Sequence, residues 1–537
     1  MRITALKLIF AISLVFSCSS INEKQGDFKV KPPSEIQVQR LGRTSVKISW
    51  KDNSEDESGF SIWLRKVDDL QNLKELGRVG KNTTEYIVNE GIEEGLGYYF
   101  GVRAEGSSES ESSDTKYVIF NMTLFDEIPS IKIEASPISS WAGIAIKYKF
   151  GNIKSFSGLK FGLCWSSSHN PTVSDGFLYG PRPDSPEKPV LQAVPSSLLE
   201  DGTEYTFRAF VRGTSGTFYS EPVKASLKKQ PEAIKLEWNK YSSALPQEIS
   251  VFETTSKLNG RNFRAWYAVA DLSKGNIKFQ ALVPDRAMTI DAQAAQFGGS
   301  CYLLVNGGYF YNGKHTGLAL INSSPIGAVN PVRGSLSPDD AEYTVMYKVT
   351  RGLFGVDKSS SPFVCWAGKD VNNNPYYVKS PLPSVKGEAR YGQSFITEPQ
   401  NTIDIKPDYA LSAGPVLLYE GKVAVDYTET EKGKDYYLNN FEIMPYDIFG
   451  EDVICDRTAL GYTQDGKIVF FICDGRIPES RGANLLELAN ILKGLGCVSA
   501  VNFDGGGSTG MMIGGTHIND QTPNNRPVVS TLGVFKK

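Results

Sequence analysis

Tyr98-Tyr99-Phe100-Gly101-Val102-Arg103-Ala104 sets apolar side chains at 98, 100, 102 and 104, the period-two alternation of a strand with one buried face. Tyr205-Thr206-Phe207-Arg208-Ala209-Phe210-Val211 repeats the pattern, with Asp201-Gly202 as the turn before it. Upstream, Val46-Lys47-Ile48-Ser49-Trp50 and Phe60-Ser61-Ile62-Trp63-Leu64 alternate in the same way across a polar turn at 52–59. Short alternating runs joined by polar turns describe all-β sandwiches, one over 34–124 and a second over 127–227.

The early strand tryptophan and the later Tyr-x-Phe-x-Val-x-Ala strand resemble fibronectin type III modules. Cys164-Trp165-Ser166-Ser167-Ser168 followed by Asn170-Pro171 is similar to fibronectin-like modules of bacterial lipoproteins. The resemblance implies a fold and a spacer role, and is nearly silent on activity.

Ahead of the sandwiches, Arg2 and Lys7 precede an apolar run from Leu8 to Phe16, the layout of a secretory signal over 1–17. Leu14-Val15-Phe16-Ser17-Cys18 resembles a bacterial lipobox. That resemblance implies an acylated Cys18 as lipid anchor, residues 18–33 as a tether, and attachment to a membrane of the cell envelope, outer membrane or cell surface. Each buried methylene of such a chain contributes about 0.8 kcal/mol. No other apolar stretch is long enough to span a bilayer.

At 537 residues the chain exceeds what a single core organises. A net charge of −3 without a Lys/Arg-rich block argues against a nucleic-acid partner. Cys164, Cys301, Cys365, Cys455, Cys473 and Cys497 include no Cys-x-x-Cys pair, so a zinc or thioredoxin-like site has no support. Cys301, Cys473 and Cys497 lie in or beside apolar runs and read as small hydrophobes. The sequence leaves disulfide pairing and oligomeric state open.

After a linker at 228–232 the texture changes. Tyr302-Leu303-Leu304-Val305 and Ile468-Val469-Phe470-Phe471-Ile472 are strand-like runs that end in polar or glycine-rich residues. Gln464-Asp465-Gly466-Lys467 supplies an Asp-Gly hairpin turn. Leu485, Leu488, Ala489 and Leu492 fall at helical spacing between Asn484 and Lys493, with a stop at Gly494. Residues 233–537 therefore read as an α+β domain, a mixed and mainly antiparallel sheet with helices.

Four segments of this region deliver a polar residue at a strand end together with glycine: Asn306-Gly307-Gly308-Tyr309-Phe310, Arg457-Thr458-Ala459-Leu460-Gly461, Asp474-Gly475-Arg476, and Asn502-Phe503-Asp504-Gly505-Gly506-Gly507-Ser508-Thr509. Glycines let backbone N–H groups approach a ligand, arginine offers a planar fork for phosphate, and carboxylates suit acid, base or nucleophile roles. Gly505 to Thr509 is no nucleotide P-loop, because the Gly-Lys-Ser/Thr ending is missing. Nothing in the spacing calls for a metal or other cofactor.

In this order, and with Glu487-Leu488-Ala489, Gly414-Pro415, Asn519 and Arg526-Pro527-Val528, the set resembles the phosphodiester glycosidase family from about 266 to 535. The resemblance implies hydrolysis of a sugar joined through its anomeric carbon to a phosphodiester. It suggests Asp504 as nucleophile or base, with Arg457, Arg476 and Arg526 as phosphate or sugar clamps. Asp474 would orient an arginine or share acid–base duty. Asn306, Gly307, Gly308, Tyr309, Asn502, Gly505, Gly506, Gly507, Ser508 and Thr509 would line the substrate pocket. Whether the anomeric configuration is retained or inverted depends on carboxylate separation in space.

Histidine occurs only at 169, 315 and 517, which excludes a three-histidine metal site. His315 and His517 fall in polar turns and read as solvated. Glu388, Asp404 and Asp408 are possible second carboxylates, read first as loop residues. Two alternatives stay open: a surface lipoprotein that binds glycan or sugar-phosphate without turnover, and a phosphodiesterase cutting the P–O bond.

Overall fold

The computed structural model describes residues 30–42, 44–66, 69–92, 97–108, 111–121, 129–153, 159–180, 189–213, 216–326, 332–333, 346–347, 350–369, 374–381, 400–426, 429–431, 434–437, 442, 453–519 and 526–537. Cys18 and Glu388 lie outside these residues. The chain forms two compact units, one from residues up to 132 with 150–161 and 210–220, the other from 133–149, 162–209 and 221–537.

In the first unit, Gly59–Lys66 pairs with Asp69–Gly80 and with Gly97–Glu105, which pairs with Lys116–Asn121. A second sheet joins Ser34–Arg40, Val46–Lys51 and Glu85–Val88. The alternating residues meet between them: Val46, Ile48, Trp50, Phe60, Ile62, Tyr98, Phe100, Val102 and Ala104 form one buried cluster. Trp50 packs on Phe60 with ring centroids 5.3 Å apart.

In the second unit, Gly143–Tyr148 pairs with Val190–Pro195, Gly162–Trp165 with Gly176–Tyr179, and Glu204–Phe207 with Val223–Ser226. The C-terminal region of this unit is built on an eight-stranded sheet. Its order is Asn239–Lys240, Ile249–Thr254, Ala265–Ala270, Ile468–Cys473, Arg457–Thr463, Cys497–Asn502, Val416–Tyr419 and Lys422–Val423, and every ladder is antiparallel. The Asp-Gly turn joins its two central strands, with Gly466 at φ +79°, a conformation glycine adopts without a Cβ penalty.

Both faces of this sheet are covered, which is why Ile468–Cys473 is a continuous apolar run. Val469, Phe471 and Cys473 pack with Leu485, Leu488, Ala489 and Leu492 of the helix Leu485–Gly494. Ile468, Phe470 and Ile472 face the other way, into a core shared with Phe279, Leu303, Val305, Phe354, Leu532 and Val534. Those residues come from a five-stranded sheet containing Ile277–Leu282, Thr531–Lys536 and Cys301–Asn306, and from a six-stranded sheet containing Arg351–Asp357. Cys301, Cys473 and Cys497 are buried free thiols.

The expected α+β domain of mixed sheet and helices is therefore corrected to a β-rich domain. Among the described residues there are two α-helices, Ile290–Ala295 and Leu485–Gly494, and sheet is packed on sheet where helices were expected. The helix read from residues 484–493 is present. Asn484 caps it by accepting from the Glu487 N–H at 2.8 Å, while the Glu487 carboxylate accepts from the Asn484 N–H at 3.0 Å, a capping box.

Candidate functional site

Register brings the motif strands to a common edge. Arg457 lies opposite Cys473 and Ala459 opposite Asn502, so Asp456, Asp474 and Phe503-Asp504 all leave the sheet at one end. Cys301–Asn306 delivers Asn306 there from the neighbouring sheet. Its Nδ2 donates to the Asp504 carbonyl at 2.6 Å, and its Oδ1 accepts from the Thr458 hydroxyl at 2.7 Å and the Gly510 amide at 3.2 Å. The Asp504 N–H donates to the Gly307 carbonyl at 3.1 Å, the Phe503 N–H to Thr458 at 2.8 Å, and the Gly506 N–H to Asp456 at 3.1 Å. The backbone from 503 to 506 is thus pinned by two segments, 306–307 and 456–458, and Asn306, fully buried and hydrogen-bonded, is one of the pins.

The half-buried Asp504 carboxylate accepts from the Gly505 N–H at 3.0 Å. Burial pushes its carboxyl up to about 6, against the opposing pull of the Ser508 hydroxyl and the Arg526 guanidinium. Gly505 cannot carry a side chain, because a Cβ would sit 2.6 Å from the Asp456 carbonyl oxygen. Gly506 has φ +59°, and a Cβ there would lie 3.2 Å from Arg476 Nη2. At Gly507 a Cβ would lie 3.6 Å from Arg526 Nη1. Two guanidinium groups therefore flank the glycine loop beside one carboxyl.

Arg476 is held by a residue that the sequence reading did not single out. Its Nε and Nη2 both lie 2.7 Å from Asp456 Oδ2, and Asp456 Oδ1 accepts from the Gly475 N–H at 3.0 Å. Asp456 is fully buried, and burial pushes its carboxyl up to about 6 although Arg476 pulls it down. A signal for it existed: Cys-Asp occurs at both 455–456 and 473–474, where two paired strands begin and end.

Asp474 is also fully buried and is gripped by Arg264, whose Nε and Nη2 approach Oδ2 at 2.7 and 2.6 Å. Asn519 Nδ2 links Asp474 Oδ1, at 3.4 Å, with the Thr509 carbonyl, at 3.2 Å. Arg526 lies over the Phe310 ring at 5.1 Å. Tyr309 donates from its hydroxyl to the Gly414 carbonyl at 2.6 Å and accepts from Asn502 Nδ2 at 2.9 Å. Asn502 Oδ1 and Thr509 Oγ1 are buried without a protein partner.

Not every expected residue faces this cluster. Arg457 is 2% exposed and donates to the carbonyls of Ala483 and Val453 at 3.0 and 2.7 Å. A Cβ on Gly307 would meet Ser530 Oγ at 2.4 Å, and one on Gly308 the Ser412 carbonyl oxygen at 2.4 Å, so close packing uses these glycines. His315 is buried, contrary to the solvated reading, with both ring nitrogens lacking a partner. Burial lowers its imidazole to about 4. His517 is half-buried, with Nδ1 3.3 Å from Asp291 Oδ1. Asp404 is exposed, and Asp408 accepts from the Ser323 hydroxyl at 3.0 Å. Among the described residues no three His, Cys, Asp or Glu side chains converge as metal ligands.

Residues 299–535 match the phosphodiester glycosidase family model, and residues 31–117 match the fibronectin type III domain model. Over 65 residues the chain is 42% identical to the N-acetylglucosamine-1-phosphodiester alpha-N-acetylglucosaminidase of Mus musculus and 45% identical to that of Homo sapiens. The matched stretch is 12% of this chain and 12% of the length of either relative. The solved zebrafish catalytic domain of that name, auto-inhibited by its pro-peptide, is 19% identical with a TM-score of 0.35, covering 56% of this chain and 88% of the zebrafish one.

Proposed function

We propose that the C-terminal domain hydrolyses a sugar-1-phosphodiester at the anomeric carbon, giving free sugar and a phosphate monoester. The observation that carries this reading is the Asp504 carboxyl beside a glycine loop flanked by Arg476 and Arg526. The bond between the anomeric carbon and the phosphodiester oxygen breaks, that oxygen stays with phosphate, and water supplies the new anomeric hydroxyl. Positive charge builds at the anomeric centre and negative charge on the departing phosphate.

Asp504 faces the first as nucleophile or base, and its raised affinity for a proton suits a base that is still ionised at neutral pH. Arg476 and Arg526 face the second, and charge pairing with phosphate substitutes for much of what a general acid does elsewhere. Asp474, braced by Arg264, positions Asn519 and through it the turn at Thr509. Asn502, through Tyr309 and Gly414, and Thr509, through Asn519, hold the strand end and the glycine loop from inside. Arg457 and Asn306 act as positioning residues.

The test is incubation with a panel of sugar-1-phosphodiesters, beginning with N-acetylglucosamine-1-phosphodiester because the mouse and human relatives carry it in their names. Free reducing sugar with a phosphate monoester is the expected outcome. Sugar 1-phosphate would mean P–O cleavage, and no turnover of any member would mean a binding protein.

Cys18 and the signal before it support a further part of this reading, an enzyme held by lipid in the cell envelope and lifted from it by the sandwich modules. Changing Cys18 to Ala should move the exported protein from the membrane to the soluble fraction. A variant that stays with the membrane as fully as the parent would overturn the anchor.

A further inference from the structure

A cavity of about 740 Å³ lies within the second unit, and none of its lining residues belongs to the Asp504 cluster. Four aromatic residues of the 162–209 segment line it, Trp165 and Tyr205 from one face of their sheet and Phe177 and Tyr179 from the other. Lys379, Gln400, Asn401 and Glu420 also line it.

These residues are held in place. Gly176 lies against the Trp165 indole, where a Cβ would come within 2.5 Å of Nε1. Phe177 and Tyr179, two apart on one strand and so on one face, meet edge to face at 5.4 Å. The Tyr179 N–H donates to Gln400 Oε1 at 2.9 Å. Lys422 ties the floor by donating to the carbonyls of Ser196, at 3.3 Å, and Leu199. Ser197 Oγ lines the cavity and is buried without a protein partner.

The charges around it nearly balance and select neither sign of ligand charge. Asp175, Glu200 and Glu420 contribute carboxylates and Lys379 and Lys422 ammonium groups, of which Lys422 is engaged by the two carbonyls and lies 3.8 Å from Asp201. What fits is a neutral ligand with an apolar face for the rings and many hydroxyls for the amides and carboxylates. A pyranose sugar has both.

The cleft is separate from the place of cleavage. Gly414, bound by Tyr309 and Asn502, stands before the strand Val416–Tyr419, and Glu420 stands after it. The four-residue strand between them, at about 3.3 Å per residue, alone spans roughly 10 Å. We propose that this cleft is an ancillary binding site for a neutral saccharide, independent of the reaction assigned to Asp504.

The test uses the full chain carrying Asp504→Asn, titrated calorimetrically with neutral tetrasaccharides of glucose, mannose, galactose and N-acetylglucosamine. At least one should bind, and Tyr179→Ala should weaken it tenfold or more. Glu200→Gln, at an exposed position that leaves the fold intact, should weaken it too. Turnover of a small soluble phosphodiester by the Tyr179→Ala chain with Asp504 restored should match the parent. No binding to any tetrasaccharide, or unchanged binding in both variants, overturns the site. A second arm compares the bound tetrasaccharide with and without a terminal sugar-1-phosphodiester. Equal affinity assigns the cleft to the glycan itself, whereas binding only with the phosphodiester places it at the cleavage site and overturns the proposal.

Discussion

One oxygen of the buried Asp456 carboxylate receives both Nε and Nη2 of Arg476, each at 2.7 Å, while the arginine side chain stays 56% exposed. The pair therefore joins a fixed carboxylate to a guanidinium that still reaches solvent and the Gly506 backbone. Arg476 itself sits at φ +60°, where a residue with a Cβ is disfavoured by about 1 kcal/mol or more. Asp456 compensates by holding the side chain from beneath.

Asp456→Asn should consequently act through Arg476. The arginine is exposed enough to be resolvated, so folding survives, but its fork is no longer aimed. KM for the phosphodiester should rise about fivefold or more with a smaller change in kcat, the pattern of lost ground-state binding. Affinity for the free sugar, which has no phosphate, should stay at the parental value. A variant with parental KM would show that Asp456 does not position the clamp.

Asp504 links activity and stability to pH in opposite senses. With its carboxyl raised to about 6, kcat/KM should climb as pH rises through 6, and Asp504→Asn should lose that limb along with about a hundredfold or more in kcat, roughly 3 kcal/mol. For stability, a carboxyl whose folded pKa lies above its unfolded value supports folding below the unfolded pKa, near 4, and loses that support as pH rises through 6. The melting temperature of Asp504→Asn relative to the parent should therefore increase between pH 4 and pH 7. A flat difference across that window would mean the carboxyl is not raised.

The sequence made the cluster legible where chemistry and geometry coincide. Asp504, Asp474, Arg476 and the glycines at 505–507 could be named because they stand at the ends of apolar runs, and strand ends point into a cleft. Arg457 was misleading for the same reason: nothing in Arg457-Thr458-Ala459 reveals that its guanidinium turns inward onto two carbonyls. Asp456 and Arg264 were missed because each acts through a partner far along the chain. The domain class failed on a related ambiguity. Ile468–Cys473 shows that both faces are covered, but an apolar run does not say whether helix or sheet covers them, and here it is one of each.

His315 should give the reverse pH signature. Burial lowers its imidazole to about 4, so its contribution is intact above the unfolded value near 6.5 and is lost as pH falls toward 4. Replacing it by Gln should flatten the fall in melting temperature between pH 6.5 and pH 4. An unchanged slope would show that acid destabilisation originates elsewhere.

The glycine loop allows the tightest test, because neighbouring glycines meet different surroundings. Gly505 has φ −118° and ψ −158°, a backbone open to any residue, so only space opposes a side chain there. That space is filled by the Asp456 carbonyl oxygen, 2.6 Å from a Cβ, and backbone does not yield as a side chain does. Gly505→Ala should push the loop away from Asp456, shift the adjoining Asp504, and lower kcat tenfold or more, since displacement of about 1 Å can cost a hundredfold. At Gly507 the nearest atoms belong to the flexible end of Arg526, 3.6 and 3.8 Å from a Cβ, so Gly507→Ala should retain kcat within about threefold. Both variants should melt as cooperative folded proteins. Equal losses in the two would mean that the loop needs glycine for flexibility rather than for the close approach of Gly505 to Asp456.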